Sequence, residues 1–459
     1  MTIEELESKK QQILERISSA IDQAKKEGIA QSEIFTGYAN GASVTIEKND
    51  IQTYETYEET VYGVRVIENG SEGFVTTNDA KDLIGSIREA KALALAQGTP
   101  DPDLELAQAP AEISPPINHL DPSLSGYDPD SVLEIAKKIL SIREAQFPKV
   151  SLDSADASFS YSLKAMASSK GVLRSEASSS LSASFMGMAI DGDDISSFDS
   201  ESAFGRTPDD FLKNFDEKYF KFLHSCMSGL GARTISGFKG NVYLPPDSIF
   251  SFLIGGFLSS LSATAVRKKK SKMIDRMNQL VMSPKLSIVS RPTDLSLESA
   301  TSFDRDGQNT RDIDIVTNGV LRTFFYNHYE AKKAGLESSN GCATGGSGGT
   351  PGCGPPSLQV EPGPDSLKSM LNAKDKTIWV NRFSGTSSAA SGDFSGVVKG
   401  GFLLENGEKI PVKEVQVAGN MYEILEKKIA AVSLERELLG KSTWAPSILI
   451  EGMTITGTE

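Results

Sequence analysis

Three of the chain's five asparagine–glycine pairs constrain it more than any other feature. Asn69-Gly70 separates two strand-like runs, 60–67 and 73–77. Asn318-Gly319 divides Ile315-Val316-Thr317 from Val320-Leu321, and Asn406-Gly407 follows Phe402-Leu403-Leu404-Glu405. A two-residue hairpin needs positive φ at both central positions, which Asn and Gly adopt at the least steric cost. Each pair therefore predicts a tight antiparallel hairpin, one near the N-terminus and two in the C-terminal half. Further strand character lies at 34–38 and 43–48, and again at 241–244 and 447–456.

Helical signals stand between these runs. Thr2 with Glu5 forms a capping box ahead of Ile3, Leu6, Ile13, Leu14, Ile17, Ile21 and Ala24, which share a helical face, and Gly28 ends it. A second helix spans 78–97. Asp128-Pro129 and Thr207-Pro208 each open another. A fifth is expected over 247–266. Residues 150–202 are dense in serine, yet Leu181-Ser182-Ala183-Ser184-Phe185 alternates, which predicts strands with a small polar outer face rather than a disordered tract. Seven of the 20 prolines fall in 98–130 without apolar periodicity, the pattern of a linker. The class is α+β. An N-terminal α+β domain is expected over 1–100, a Pro-rich linker over 101–127, a Ser-rich α+β middle domain over 128–235, and a mainly antiparallel β domain with a few helices over 239–459.

Charge and cysteine content limit the function classes. A formal net charge of -14 argues against nucleic acid, whose phosphates demand clustered cations. No apolar run is long enough to span a membrane. Three cysteines, Cys226, Cys342 and Cys353, do not make a disulfide scaffold and fit a reducing compartment.

Chemistry-bearing clusters are sparse. His119, His224 and His328 are the only histidines, and none has a ligand three or four residues away as a helical metal pair requires. Cys342 and Cys353 bracket a Gly-rich loop, 340–356, that lacks the phosphate-cradle pattern and reads as a mobile loop over a cleft or interface. Asp304-Arg305-Asp306-Gly307 has the wrong spacing for a calcium loop and reads as an Asp-Gly turn. Arg267, Lys268, Lys269, Lys270 and Lys272 form the one dense basic run, either a docking patch for an acidic partner or a solvated helix end. No GxSxG elbow occurs, although Ser-Lys chemistry could be assembled in space.

The C-terminal half carries a resemblance. Asp304-x-Asp306-Gly307, Thr310-Arg311 and Asn318-Gly319-Val320-Leu321 occur in order. They are followed by Gly392-Asp393-Phe394-Ser395, Glu405-Asn406-Gly407-Glu408, Pro411-Val412, Ala418-Gly419-Asn420 and Ala445-Pro446-Ser447-Ile448-Leu449-Ile450. This series resembles the third domain of the TldD/PmbA family, and Gly63-Val64-Arg65-Val66 with Gly73-Phe74 resembles its first. The resemblance implies a cytoplasmic heterodimer in which a TldD-type subunit is a zinc peptidase, with an HExxxH pair on a helix early in the third domain and a cysteine ligand near the C-terminus. This chain resembles the other, PmbA- or TldE-type subunit. At the corresponding helix, 247–266, it has neither His nor Glu, and 434–444 has no Cys. The resemblance therefore implies no zinc in this chain, with zinc expected only in a TldD-type partner, and no catalytic residue. It implies a non-catalytic partner subunit acting on peptides or unfolded proteins. Asn340, Gly341, Cys342, Cys353, Asp393 and Ser395 are candidates for a substrate-cleft or interface loop. The alternatives are an independent hydrolase using Ser, Lys or Cys342/Cys353, and a structural, peptide-binding homodimer.

Overall fold

The computed structural model describes residues 1–371 and 375–457. Local rules decide where its first elements begin. The Thr2 hydroxyl accepts from the Glu5 amide at 3.2 Å, and the Glu5 carboxylate accepts from the Thr2 amide at 2.7 Å. Two amides without helical partners are thereby satisfied at the start of α1 (Ile3–Lys26). Next come β1 (Ser32–Glu47), β2 (Asp50–Glu68), β3 (Ser71–Thr77) and α2 (Leu83–Ala96). The β2–β3 hairpin turns at Asn69 (φ 51) and Gly70 (φ 73), as its sequence requires. Strand lengths differ from the expected short pieces. β1 and β2 run unbroken for 16 and 19 residues and turn at Lys48 (φ 50) and Asn49 (φ 66), a left-handed pair without glycine.

After the Pro-rich segment follow α3 (Asp130–Gln146), β4 (Val150–Ser168), β5 (Leu173–Asp191), β6 (Asp194–Ile195), β7 (Asp199–Gly205) and α4 (Pro208–Ser228). The helix expected to be capped by Asp128 with Pro129 as its first residue begins one residue later, at Asp130, with the Asp128 carboxylate accepting the Asp130 amide at 3.0 Å. The serine-rich strands alternate: Ala155, Ala157, Phe159, Tyr161 and Leu163 are buried while the intervening serines stay partly exposed. Thr207 caps α4 through the Asp210 amide at 3.0 Å. Its aromatic stripe meets Phe185 of β5, with Tyr219 at 4.5 Å and Phe215 at 5.6 Å between ring centres. Each such pair adds about 0.5–1.5 kcal/mol beyond area burial.

All these strands form one sheet, in the order β3-β2-β1-β4-β5-β6 with β7 also on β5. β1 pairs with β4 along 15 residues, and one core extends from Leu6 to Cys226. The expected division between 1–100 and 128–235 therefore does not divide the core. Pairing between strands more than a hundred residues apart is invisible to local periodicity. Nor is 101–127 a free linker. Ala109 donates to the Lys170 carbonyl at 3.1 Å, Ser114 donates to Asn309 Oδ1 at 3.1 Å, and Asp101 accepts the Tyr329 hydroxyl and Lys333 ammonium at 2.7 Å each. The segment straps the sheet to the C-terminal region.

A second core begins at Val242. Its elements are β8 (Phe238–Leu244), α5 (Pro246–Ile249), α6 (Gly255–Ser259), α7 (Ala263–Arg267), β9 (Ile288–Ser290), β10 (Ile313–Thr317), β11 (Val320–Leu321), α8 (His328–Lys333), β12 (Ala343–Thr344), β13 (Gly352–Cys353) and β14 (Leu358–Val360). Then follow α9 (Leu367–Leu371), β15 (Thr377–Trp379), β16 (Arg382–Ser387), β17 (Asp393–Lys399), β18 (Phe402–Glu405), β19 (Glu408–Pro411), β20 (Val415–Asn420), α10 (Met421–Lys427), β21 (Ile429–Leu439) and β22 (Thr443–Thr456). The long β22 pairs with β8, β14, β20 and β21 and organises the sheet. Pairing is mainly antiparallel, with parallel contacts at β8–β15 and β14–β22. The Asn318-Gly319 and Asn406-Gly407 hairpins form as their sequences require.

The helix expected over 247–266 is broken. A π-helical turn occupies Phe250–Ile254, and Ser260 leaves the helix with its hydroxyl donating back to the Phe257 carbonyl at 2.6 Å. Paired glycines at 255 and 256 lower helical preference, and serine competes for backbone acceptors. A Cβ at Gly256 would lie 2.8 Å from Met421 Sδ, so α10 packs where a larger residue cannot.

A buried ionic network joins the two cores. Arg305, from the Asp-Gly turn, meets Glu33 of β1 at 2.5 Å with both side chains at most 2% exposed. It also lies over the Phe35 ring and donates to the Gly346 and Gly349 carbonyls at 3.2 Å each. Asp306 accepts the His328 amide at 2.7 Å, and Glu176 meets Lys164 at 2.9 Å while accepting the Ser302 amide at 2.7 Å. The Gly-rich loop thus makes contacts along its length. It is pinned by Arg305 and lies on the first sheet, where a Cβ at Gly63 would fall 2.3 Å from the Ser347 carbonyl oxygen.

Candidate functional site

A cleft of about 670 Å³ lies between β7 and α4 on one side and β8, α5, β15 and β19 on the other. Its floor is aromatic. Tyr243 and Trp379 pack as tilted rings 4.6 Å apart, and the Lys409 ammonium sits 3.8 Å from the Trp379 ring centre and 4.1 Å from that of Phe402. Burial pushes the Lys409 pKa down. One wall is ionic. Lys221 of α4 lies between Glu201 of β7 at 2.6 Å, Asp247 of α5 at 3.0 Å and Glu437 of β21 at 3.3 Å. Lys218, one turn earlier, adds contacts to Glu437 at 3.3 Å and Glu201 at 3.9 Å.

The two central groups respond differently to the same neighbours. Burial pushes the Glu201 pKa up to about 7 against the pull of Lys221, and the Asp247 charge adds to the rise. For Lys221 burial acts downward, but three carboxylates outweigh it and hold the ammonium firmly charged. A lysine so held is neither base nor nucleophile. It locks the first core to the second across the cleft. Sequence inspection could not assemble this cluster, because its members come from four elements scattered between residues 201 and 437.

The sequence-derived candidates lie elsewhere. Asn340 is buried; its side-chain Oδ1 accepts the Tyr326 amide at 2.9 Å and its Nδ2 donates to the Phe324 carbonyl at 2.7 Å. Gly341 (φ 74) passes close to the Asn309–Thr310 backbone. Cys342 is wholly buried in the second core, and Cys353 pairs with Ala343 in the short β12–β13 ladder. Both are free thiols that burial pushes up. Asp393 and Ser395 are exposed on β17, where Asp393 accepts from Asn420 Nδ2 at 2.9 Å. Of the basic run, Arg267 forks onto Glu330 at 2.7 and 2.8 Å. Lys268, Lys269 and Lys270 are exposed, and Lys272 lies over the Tyr422 ring at 5.5 Å. The histidines are apart: His119 beside Arg206, His224 against the Phe147 ring, His328 facing Glu105.

Comparison with known proteins places this architecture. Residues 238–457 match the PmbA/TldA metallopeptidase C-terminal domain, and residues 32–96 match PmbA/TldA metallopeptidase domain 1. The chain belongs to the PmbA/TldD family. It is 27% identical over 480 residues to a metalloprotease PmbA homolog of Haemophilus influenzae, covering 98% of each chain. To the metalloprotease PmbA of Escherichia coli O157:H7 it is 25% identical over 464 residues, covering 99% of this chain and 98% of the other. Among solved structures, TldE from Thermococcus kodakarensis superposes with a TM-score of 0.85 at 18% identity, covering 96% and 100% of the two chains. A putative modulator of a DNA gyrase from Thermotoga maritima gives 0.83 at 23% identity, covering 96% and 99%. These two share its fold.

The metallopeptidase family raises the question of zinc. The resemblance set out above would put the family's metal helix at 247–266, where Phe252, Leu253, Ile254 and Phe257 are each at most 2% exposed and packed in the second core. Zinc needs nitrogen, thiolate or carboxylate donors, and these side chains offer none. Among the described residues no group of three or more His, Cys, Asp or Glu could hold a metal ion. The residues present do not fit the family's metal. No helix among the described residues is long and apolar enough to cross a membrane.

Proposed function

We propose that this chain is a non-catalytic subunit of a PmbA/TldD-type peptidase, acting in the cytoplasm with a TldD-type partner that supplies the zinc. Its part is to complete the complex and help hold peptides or unfolded proteins. One observation carries this reading: at the family's metal helix the chain buries Phe252, Leu253, Ile254 and Phe257 instead of metal donors. Those side chains also fill the second core, so the segment serves packing. The aromatic, partly charged cleft beside it supports contact with extended polypeptide, because aromatic floors bind apolar side chains and a nearby cation orients carbonyls.

An independent cysteine hydrolase has less support. A nucleophilic thiol needs a depressed pKa, and burial moves both Cys342 and Cys353 the other way. The test is to follow cleavage of an unstructured peptide by the chain alone, by an HExxxH-bearing partner alone, and by the mixture. Hydrolysis that needs the mixture, or is raised by it at least tenfold, supports the proposal. Chelator-resistant hydrolysis by this chain alone overturns it. A mixture that neither associates nor gains activity also overturns it, and would leave the homodimer.

A further inference from the structure

A second cavity, about 590 Å³, opens where the β5–β7 connection meets the β16–β19 hairpins. Its walls are apolar: Met188, Ile195, Phe198, Pro411 and Val412 all line it. Ile195 is 55% exposed at its edge. The rim is ionic, and its charges do not cancel. Lys399 meets Glu414 at 3.1 Å, and the Asp194 carboxylate is taken by the Gly231 amide at 2.6 Å. Arg382 and Lys413 make no ion pair and no side-chain hydrogen bond among the described residues. Arg382, Lys399 and Lys413 against Asp194 and Glu414 thus leave positive charge in excess beside an apolar cavity, in a chain whose net charge is -14.

The placement of Arg382 is itself costly. It lies directly opposite Lys399 in the β16–β17 register, and like charges across an antiparallel pair are destabilising. Lys399 finds relief at Glu414; Arg382 has none. Its guanidinium presents a planar fork of donors, the geometry that a carboxylate matches with two parallel hydrogen bonds. The frame around it is fixed, because Arg233 donates to the Pro411 carbonyl at 3.0 Å and Lys413 donates to the Arg233 carbonyl at 2.8 Å. The cavity volume is of the size that small-molecule sites occupy.

We infer that this cavity is a carboxylate subsite: Arg382, helped by Lys413, binds a singly charged carboxylate whose attached apolar group fills the space between Ile195, Phe198 and Val412. Arg382 also lines the aromatic cleft, so a polypeptide lying in that cleft reaches the subsite with its C-terminal carboxylate. The peptide source of the ligand rests on the function proposed above; the carboxylate chemistry does not. A free fatty acid offers the same chemistry.

The test uses the whole purified chain and calorimetric titration, with no peptidase assay, so its failure leaves the partner-subunit reading standing. The probes are N-acetyl-Phe-Leu with a free C-terminus, the same dipeptide as its C-terminal amide, and octanoate. The free acid is expected to bind at least tenfold more tightly than the amide, and octanoate more weakly than the free acid. Arg382→Gln should abolish the difference between acid and amide. Lys413→Gln, at an exposed position that should not perturb folding, should weaken the acid roughly threefold to tenfold and leave the amide unchanged. Octanoate binding more tightly than the dipeptide would overturn the peptide source and retain the carboxylate site. Equal binding of acid and amide, no binding at millimolar concentration, or an acid preference that survives both substitutions would overturn the inference.

Discussion

Replacing Glu201 by Gln should flatten part of the chain's stability profile against pH. Glu201 is largely but not fully buried against α4, and its pKa rises from an ordinary 4.5 to about 7 in the folded chain. Between those values the native state keeps a proton that the unfolded chain releases. Stability therefore falls as pH rises through that window. The gap from 4.5 to about 7 corresponds to roughly 3 kcal/mol, lost between about pH 5 and pH 8. Glutamine keeps the shape and one acceptor toward Lys221 but cannot ionise. Urea unfolding of parent and variant at pH 5 and pH 8 gives the difference directly. The gap in stability between the two proteins should shift by about 3 kcal/mol in the variant's favour as pH rises, since other titrating groups cancel. A gap that stays constant within about 1 kcal/mol would mean that Glu201 is ionised throughout, and the reasoning about burial at this wall would be refuted.

Three further outcomes follow from the junction and the core. Gly63→Ala should destabilise by about 1–3 kcal/mol in thermal melts, because its Cβ has no room beside the Ser347 carbonyl; an unchanged melt would mean that the Gly-rich loop does not rest on the sheet. Glu33→Gln leaves the buried Arg305 without its carboxylate and should cost about 3–5 kcal/mol in urea; a cost under about 1 kcal/mol would show that the pair is hydrated. Native protein should react slowly with a thiol reagent, Cys353 first, with all three thiols appearing only on denaturation; two fast-reacting thiols in the folded chain would contradict the burial of Cys226 and Cys342.

Features decided by a few neighbouring residues were legible in the sequence. The Asn-Gly hairpins, the Thr2–Glu5 capping box and the Thr207 cap depend on local φ and on donors within four residues, and each forms as expected. The serine-rich strands were legible because alternation survives even when the outer residue is small. Long-range pairing was not. Nothing near Ile34 or Ala167 announces that β1 and β4 are partners, so the first sheet looked like two domains joined by a linker. Asp304-Arg305-Asp306-Gly307 read correctly as a turn, but its burial against Glu33 depends on a contact 272 residues away. The candidate residues of the Gly-rich loop were chosen on composition, and the structure packs them within the second core while the loop's middle meets the first sheet. Arg382, in the carboxylate subsite inferred here, carried no local signal, because it matters through what its neighbours fail to neutralise.

The central claim is that the family's metal position in this chain is built of packing side chains. The most direct measurement is metal content by elemental mass spectrometry, on the purified chain alone after equilibration with equimolar zinc and passage through a desalting column. Zinc well below one-tenth of an equivalent is expected, with a TldD-type partner treated in parallel retaining close to one. A full equivalent of zinc retained by this chain, lost on chelation together with peptide hydrolysis, would contradict it.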